Sequence, residues 1–159
     1  MNASSAIRLV HYSNRYKKEL NAFALPANQE RFTALPGKTL EKSMRGVFPC
    51  VILESSRPVG FFLLNQTERV YDYTENPYAL LLTAFSINHL DQGKGCAERA
   101  MGMLRNFVEK DFPFVNEIVL AVNHKNVPAQ KLYSKCGFMD TGLRREGRIG
   151  EQIVMRLSW

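Results

Sequence analysis

Residues Tyr78 to Ile87 form an almost unbroken apolar run, and after a short polar junction an amphipathic helix begins at Gly95. A strand that is apolar at nearly every position has both faces covered, which places it in the middle of a layered sheet. From Gly95 to Lys110, residues Ala97, Ala100, Met101, Leu104, Phe107 and Val108 recur at helical spacing with charged residues opposite, so this helix lays one stripe on that sheet. Asp111-Phe112-Pro113 ends it, because proline removes a backbone donor and blocks the next turn.

The remaining segments arrange themselves around this pair. Ile7, Leu9 and Val10 predict a first strand, and Ser13 is placed to cap a helix carrying Tyr16, Leu20 and Phe23 that stops before Pro26. Asn28 to Leu35 reads as a helical turn, and Leu40, Met44 and Val47 as one face of a further helix. Phe48 to Glu54 and Val59 to Asn65 predict an antiparallel hairpin joined by Ser55-Ser56-Arg57-Pro58. Glu117 to Val122 is a strand, and a helix starts near Asn126-Val127-Pro128 and stops at Gly137. Two strands follow, Met139 to Leu143 and Gln152 to Leu157, around a polar turn from Arg144 to Gly150. The order β-α-α-β-β-β-α-β-α-β-β is that of an α+β domain with a mixed sheet flanked by helices. With 159 residues, 45% hydrophobic and 23% charged, one ordinary packed domain is expected over residues 1–159.

The junction Asn88-His-Leu-Asp-Gln92-Gly-Lys-Gly-Cys-Ala97 is where chemistry is expected. Glycines let a ligand approach the backbone, and the first amides of a helix are unpaired donors, so the place suits a pyrophosphate; it equally suits a plain strand-to-helix turn. It is not a P-loop, since position 89 is His89 and Lys94 is followed by Gly95, and no Gly-x-Gly-x-x-Gly occurs. The net charge of +6 is spread evenly, with ten basic against seven acidic residues in 1–76 and eleven against eight in 77–159, so no nucleic-acid-binding face or arm stands out. No apolar run is long enough to span a membrane, and Met1 to Ser5 do not open a leader, so a cytoplasmic protein is expected. Cys50, Cys96 and Cys136 fit neither a disulfide framework nor a metal site and read as reduced, mostly buried thiols.

Gln92-x-x-Gly95-x-Ala97 resembles the Arg/Gln-x-x-Gly-x-Gly/Ala signature of the GNAT superfamily of acyl-CoA-dependent N-acyltransferases, in its place after a long apolar strand. The segment from Leu120 through Asn126, Ala129, Leu132 and Tyr133 to Cys136-Gly137-Phe138 resembles that family's next strand, Asn-containing loop and helix. The resemblance implies a mostly antiparallel central sheet and acetyl-CoA as cosubstrate, with no metal. It implies that the amides of Gln92, Gly93, Lys94, Gly95, Cys96 and Ala97 bind the coenzyme A pyrophosphate, and that the strand edge at Phe85, Ser86 and Ile87 pairs with the pantetheine arm. It further implies a cofactor contact at Asn126 and a catalytic hydroxyl at Tyr133 beside the thioester sulfur. Read from the residues alone, Asn126 is also a helix cap and Tyr133 a packing residue. Lys94, Arg99, Lys125 and Lys131 are placed to attract the anionic cofactor.

The implied activity is acetyl transfer to a primary amine of a small molecule or peptide by direct attack in a ternary complex, in a monomer or homodimer. A polyamine-like small amine, a protein N-terminus and an aminoglycoside are all open as acceptors, and a non-catalytic acyl-CoA-binding module is the alternative. Many relatives carry a Glu on the central strand, whereas Tyr78 to Ile87 has no acid; Glu54, Asp72, Glu75 or a water relay are left to take the amine's proton. His89 and His124 read as exposed loop residues. Cys96, at a helix start, leaves an acyl-cysteine route open through a lowered pKa. Acceptor choice is expected in Phe23 to Met44 and in Glu68 to Pro77, with Tyr71, Asp72, Tyr73 and Glu75 as a lip for a cation or an ordinary polar loop.

Overall fold

The computed structural model describes residues 6–42 and 44–159; the leader reading at Met1 to Ser5 lies outside them. Seven strands form one sheet in the order β1-β2-β3-β4-β5-β7-β6. They are β1 Ile7–His11, β2 Val47–Glu54, β3 Arg57–Asn65, β4 Ala79–Ile87, β5 Glu117–Asn123, β6 Met139–Gly147 and β7 Gly150–Ser158. All neighbours are antiparallel except β4 and β5, the pair joined by a crossover helix. The expected α+β class and mostly antiparallel sheet are present, and the element order is as expected except that three short helices rather than two lie between β1 and β2.

The alternation along the strands sorts side chains to two faces. Ile52, Phe62, Leu64, Leu80 and Leu82 pack against α4, Cys96–Asp111, through Ala100, Met101, Leu104 and Val108. The same face meets Tyr133 of α5, Val127–Lys135. On the other face Val51, Leu53 and Phe61 meet Leu20 of α1, Lys17–Asn21, and Phe23 just beyond its end. Beside them Leu81, Ala79 and Val119 lie under Val70 of the 3-10 turn Glu68–Asp72.

Three local readings need correction. The N-terminal helix is a 3-10 turn, Asn14–Tyr16, leading into α1, and Ser13 makes no side-chain cap bond. The expected helix through Leu40, Met44 and Val47 is shorter: α2 is Ala27–Glu30, α3 is Pro36–Leu40, and Val47 already pairs with Asn65 in the sheet. Three apolar residues at helical spacing are thus divided between a short helix, an exposed Met44 and a strand. Both hairpin turns are tighter than expected. Ser55 and Ser56 alone turn between β2 and β3, both with positive φ (49° and 77°), which leaves Glu54 opposite Arg57. β6 and β7 extend to Gly147 opposite Gly150, so Arg144 and Arg145 are strand residues.

Gly60 sits where β3 crosses β4, opposite Ile87. A Cβ there would lie 3.0 Å from the backbone oxygen of Ser86 and within 2.8 Å of the ends of Ile52 and Ile87. The side chains can rotate away, but the strand oxygen cannot. Gly60→Ala is therefore expected to destabilise the protein by about 1–3 kcal/mol, read as a lower urea midpoint; an unchanged midpoint would show that β4 shifts freely.

Candidate functional site

β4 and β5 pair only from Ala79 opposite Glu117 to Leu81 opposite Val119. Beyond that rung they part, because β4 carries a bulge. Between Thr83, which faces Leu63, and Ser86, which faces Phe61, two residues oppose one on β3, and Ala84 takes a positive φ of 54°. The β5 side of β4 from Leu82 onward is left without a ladder partner from β5. The closed end is held by Glu117, buried, which accepts hydrogen bonds from Thr74 Oγ1 (2.9 Å) and Ser158 Oγ (3.3 Å).

A cavity of about 1330 Å³ fills the gap. Its floor is the divergent parts of β4 and β5, one end is the start of α4, one side is α5, and the opposite wall is the chain from Leu25 to Lys42 that carries α2 and α3. Of the residues expected at the site, Phe85, Ser86, Ile87, Gln92, Gly93, Gly95, Cys96, Ala97, Asn126 and Tyr133 all line it. Lys94 does not; its ammonium turns back to Asp91 at 3.9 Å.

At the α4 end, Gly93 and Gly95 both have positive φ (77° and 80°), and a Cβ on either would meet nothing within 4 Å. Left-handed glycines in front of a sixteen-residue helix present successive amides to open space, which is the geometry that accepts a diphosphate. The loop is fixed from behind. Asp91, 2% exposed, is gripped by Arg57 at 2.8 and 3.3 Å, and Glu54 lies 3.5 Å from Arg57 and 3.6 Å from Arg99. This pairing of a buried carboxylate with a half-exposed guanidinium is not readable from sequence, since Arg57 sits in what reads as a turn. It also means that Lys94 and Arg99 face carboxylates; of the cations expected to steer the cofactor, Lys125 lines the cavity and Lys131 does not.

Tyr133 stands on α5 with its ring edge-on to Phe85 of the bulge (centroids 6.3 Å apart, 69°) and tilted against Phe138 (5.6 Å). Packing and a place on the cavity wall are both true of it. Burial pushes its phenol well above the ordinary tyrosine value, so it stays protonated. Asn126 is the cap of α5, its side chain accepting from Ala129 N at 3.4 Å, while also lining the cavity. Cys96 is 2% exposed, and burial and the Glu54 carboxylate push its thiol up, opposite to the lowering its helix-start position suggested.

Glu54, Asp72 and Glu75 do not line the cavity. Nor does the expected lip: Tyr73 is stacked under Arg145 at 4.3 Å, and Arg145 donates to the Asp72 backbone oxygen at 3.1 Å. The acids that do line it are Glu30 and Glu41 on the α2–α3 wall, Asp91, held by Arg57, and Glu98, paired with Lys135 at 3.1 Å. His89 and His124 are exposed, the latter 3.0 Å from the Glu151 backbone oxygen. Among the described residues no group of three or more His, Cys, Asp or Glu could hold a metal, and no helix is long and apolar enough to cross a membrane.

The same fold is found in known proteins. The chain superposes on the aminoglycoside acetyltransferase AAC(6')-Ib in complex with coenzyme A and kanamycin with a TM-score of 0.76, at 16% identity, covering 96% of this chain and 95% of that one. A spermidine N-acetyltransferase SpeG chimera from Vibrio cholerae and hSSAT gives 0.69 at 15% identity, covering 96% and 94%. At such identities these likenesses concern the fold. In sequence, the chain is 43% identical over 152 residues, 94% of its length and 95% of the relative's, to the uncharacterized N-acetyltransferase YbbJ of Bacillus subtilis strain 168. Residues 15–138 match the Acetyltransferase (GNAT) family. With the divergent strands, the glycine-bounded amides and Tyr133 in one cavity, these matches establish that the chain belongs to the GNAT acetyltransferase family.

Proposed function

We propose that this N-acetyltransferase moves the acetyl group of acetyl-CoA directly to a primary amine of a small molecule or peptide held in the same cavity, with no acyl-enzyme stage. The observation that carries this reading is the continuity of one cavity from the α4 amides, past the free edge of β4 and Tyr133, to the α2–α3 wall. The residues fit the cofactor. Gly93 and Gly95 leave open space over donor amides, and β4 from Leu82 to Ile87 offers backbone groups to an extended chain containing amides. Acetyl-CoA supplies the acyl group as a thioester.

The amine enters from the α2–α3 wall, where Glu30 and Glu41 stand, and its lone pair forms the C–N bond as the C–S bond breaks. Backbone amides near the bulge at Ala84 are the donors for the carbonyl oxygen. Tyr133 gives its proton to the departing sulfur, so that coenzyme A leaves as the free thiol, and regains one from the nitrogen, which sheds its extra proton through cavity water as the amide forms. At ordinary values the transfer to sulfur is uphill by about 1.5 pKa units, roughly 2 kcal/mol, from ~10 to ~8.5. Burial raises the phenol and so adds to that cost, while desolvation of a thiolate formed beside it offsets part of the addition. An amine of pKa ~10.4 is neutral about once in 2,500 molecules at pH 7, a cost of roughly 4.6 kcal/mol. With the central strand bare of acids, water in the open cavity is the route for that proton.

Aminoglycoside and spermidine acetyltransferases share the fold, which favours a small polycationic amine over a protein terminus. Release of free CoA thiol across a panel of polyamines, aminoglycosides and peptides is the direct test. Acceptor-dependent release is expected, while tight acetyl-CoA binding without any would make this a binding module. Tyr133→Phe is expected to lower kcat ten-fold or more with little change in acetyl-CoA affinity; an unaltered kcat would reduce Tyr133 to packing. Because the phenol is held protonated past its usual range, wild-type kcat/KM is expected to climb with pH as the amine deprotonates, without a Tyr133-linked decline below about pH 10. Cys96→Ala should retain most turnover, and near-total loss would instead support an acyl-cysteine.

A further inference from the structure

Gln29 and Gln92 are 63 positions apart in the chain, and their side-chain amides face each other at the cavity. Gln29 Nε2 donates to Gln92 Oε1 at 3.1 Å, and Gln92 Nε2 donates to Gln29 Oε1 at 2.8 Å. Gln92 also donates to the Ile87 backbone oxygen at 2.9 Å, so one side chain joins the end of β4 to α2. Close by, Ala24 N donates to Asn88 Oδ1 at 3.0 Å and His89 N donates to the Ala24 oxygen at 2.9 Å. The stretch 24–29 is thereby stitched to 88–92, the stretch that leads into the phosphate-sized nest.

Beyond Leu35 and Leu40, which pack half-buried against the Leu20 and Phe61 side of the core, the wall that Gln29 holds has little to keep it in place. α2 has four residues and buries none of them; α3 has five and buries only Pro36. Helices this short do not persist without tertiary contacts, so local opening of the wall is governed by the few bonds that tie it down. Two of those bonds belong to the Gln29–Gln92 ring, whose two-point geometry fixes orientation as well as distance.

We propose that Gln29 is a positioning residue that couples the two substrate seats: occupancy of the cradle steadies Gln92, Gln92 steadies Gln29, and the wall Pro26–Leu40 is ordered for the acceptor. The inference rests on the proposed function, since it takes the cradle as the coenzyme seat and the wall as the acceptor's. Coupling of this kind is reciprocal, so a bound acceptor also tightens coenzyme binding.

The experiment is amide hydrogen exchange on the wild type, Gln29→Ala and Gln29→Glu, each with and without saturating free CoA, alongside CoA affinity by calorimetry. In the wild type, CoA is expected to slow exchange at 93–97 and, by about five- to ten-fold, across 26–40, the low end of what two neutral hydrogen bonds supply. In Gln29→Ala, CoA should still protect 93–97 and bind within about three-fold of wild type, while its effect on 26–40 falls below about two-fold. Gln29→Glu, which keeps an acceptor for the Gln92 N–H, should fall between. Equal protection of 26–40 in wild type and both variants, or none in a wild type that binds CoA, overturns the coupling. A wild type that binds no CoA overturns the functional reading beneath it.

Discussion

The β4–β5 ladder runs for three residues and stops at Leu81 opposite Val119, and the site is built around what happens beyond that rung. Two parallel strands in the middle of a sheet ordinarily satisfy each other's backbone groups along their length. Here the extra residue at the bulge, with Ala84 in the left-handed region, bends β4 away while β3 keeps its other edge. β5 stays in the sheet because β7 pairs with it along its whole length, from Glu117 to Asn123. A wedge is left, closed at Glu117 and open toward α4. Every group assigned a chemical part borders that wedge: the edge of β4, Tyr133 against Phe85, and the amides ahead of α4.

The electrostatics follow from the same geometry. A nest of amides needs a rigid loop, and rigidity is supplied by a carboxylate taken almost wholly out of water. Asp91 would be costly to bury alone, and its two bonds to Arg57 make that burial tolerable. The net charge of +6 is thus only partly available to an anion, since Arg57, Lys94 and Arg99 are answered by Asp91 and Glu54.

What could be read in the sequence was what repeats or what restricts the backbone. β4 was visible because a doubly covered strand is apolar throughout, α4 because its stripe holds for four turns, and the cradle because Gly93 and Gly95 stand where φ is positive. α5 was visible through Asn126 and Pro128 at its start and Gly137 at its end. The region from Ser13 to Val47 was read poorly because helices of four or five residues carry too few turns for a period to emerge. Tyr71 to Glu75 looked like a lip on composition, but Tyr73 is stacked beneath Arg145 and the segment lies outside the cavity. The Arg57–Asp91 and Gln29–Gln92 pairs, 34 and 63 positions apart, leave no local pattern at all; only the fold brings them together.

The bareness of α2 and α3 separates two kinds of residue in this protein. The core lies between the sheet and α4, α5 and α1, whereas the wall facing β4 contributes almost no buried side chain. Substitutions at the wall's exposed positions, such as Asn28, Glu30, Arg31 and Lys38, therefore reshape the cavity while leaving the melting behaviour of the domain nearly untouched, whereas at Leu82, Ile87 or Tyr133, which are core and cavity lining at once, they change both. A lineage carrying this scaffold can drift through many wall sequences without passing through an unfolded ancestor, which makes the wall the cheapest place for new preferences to arise.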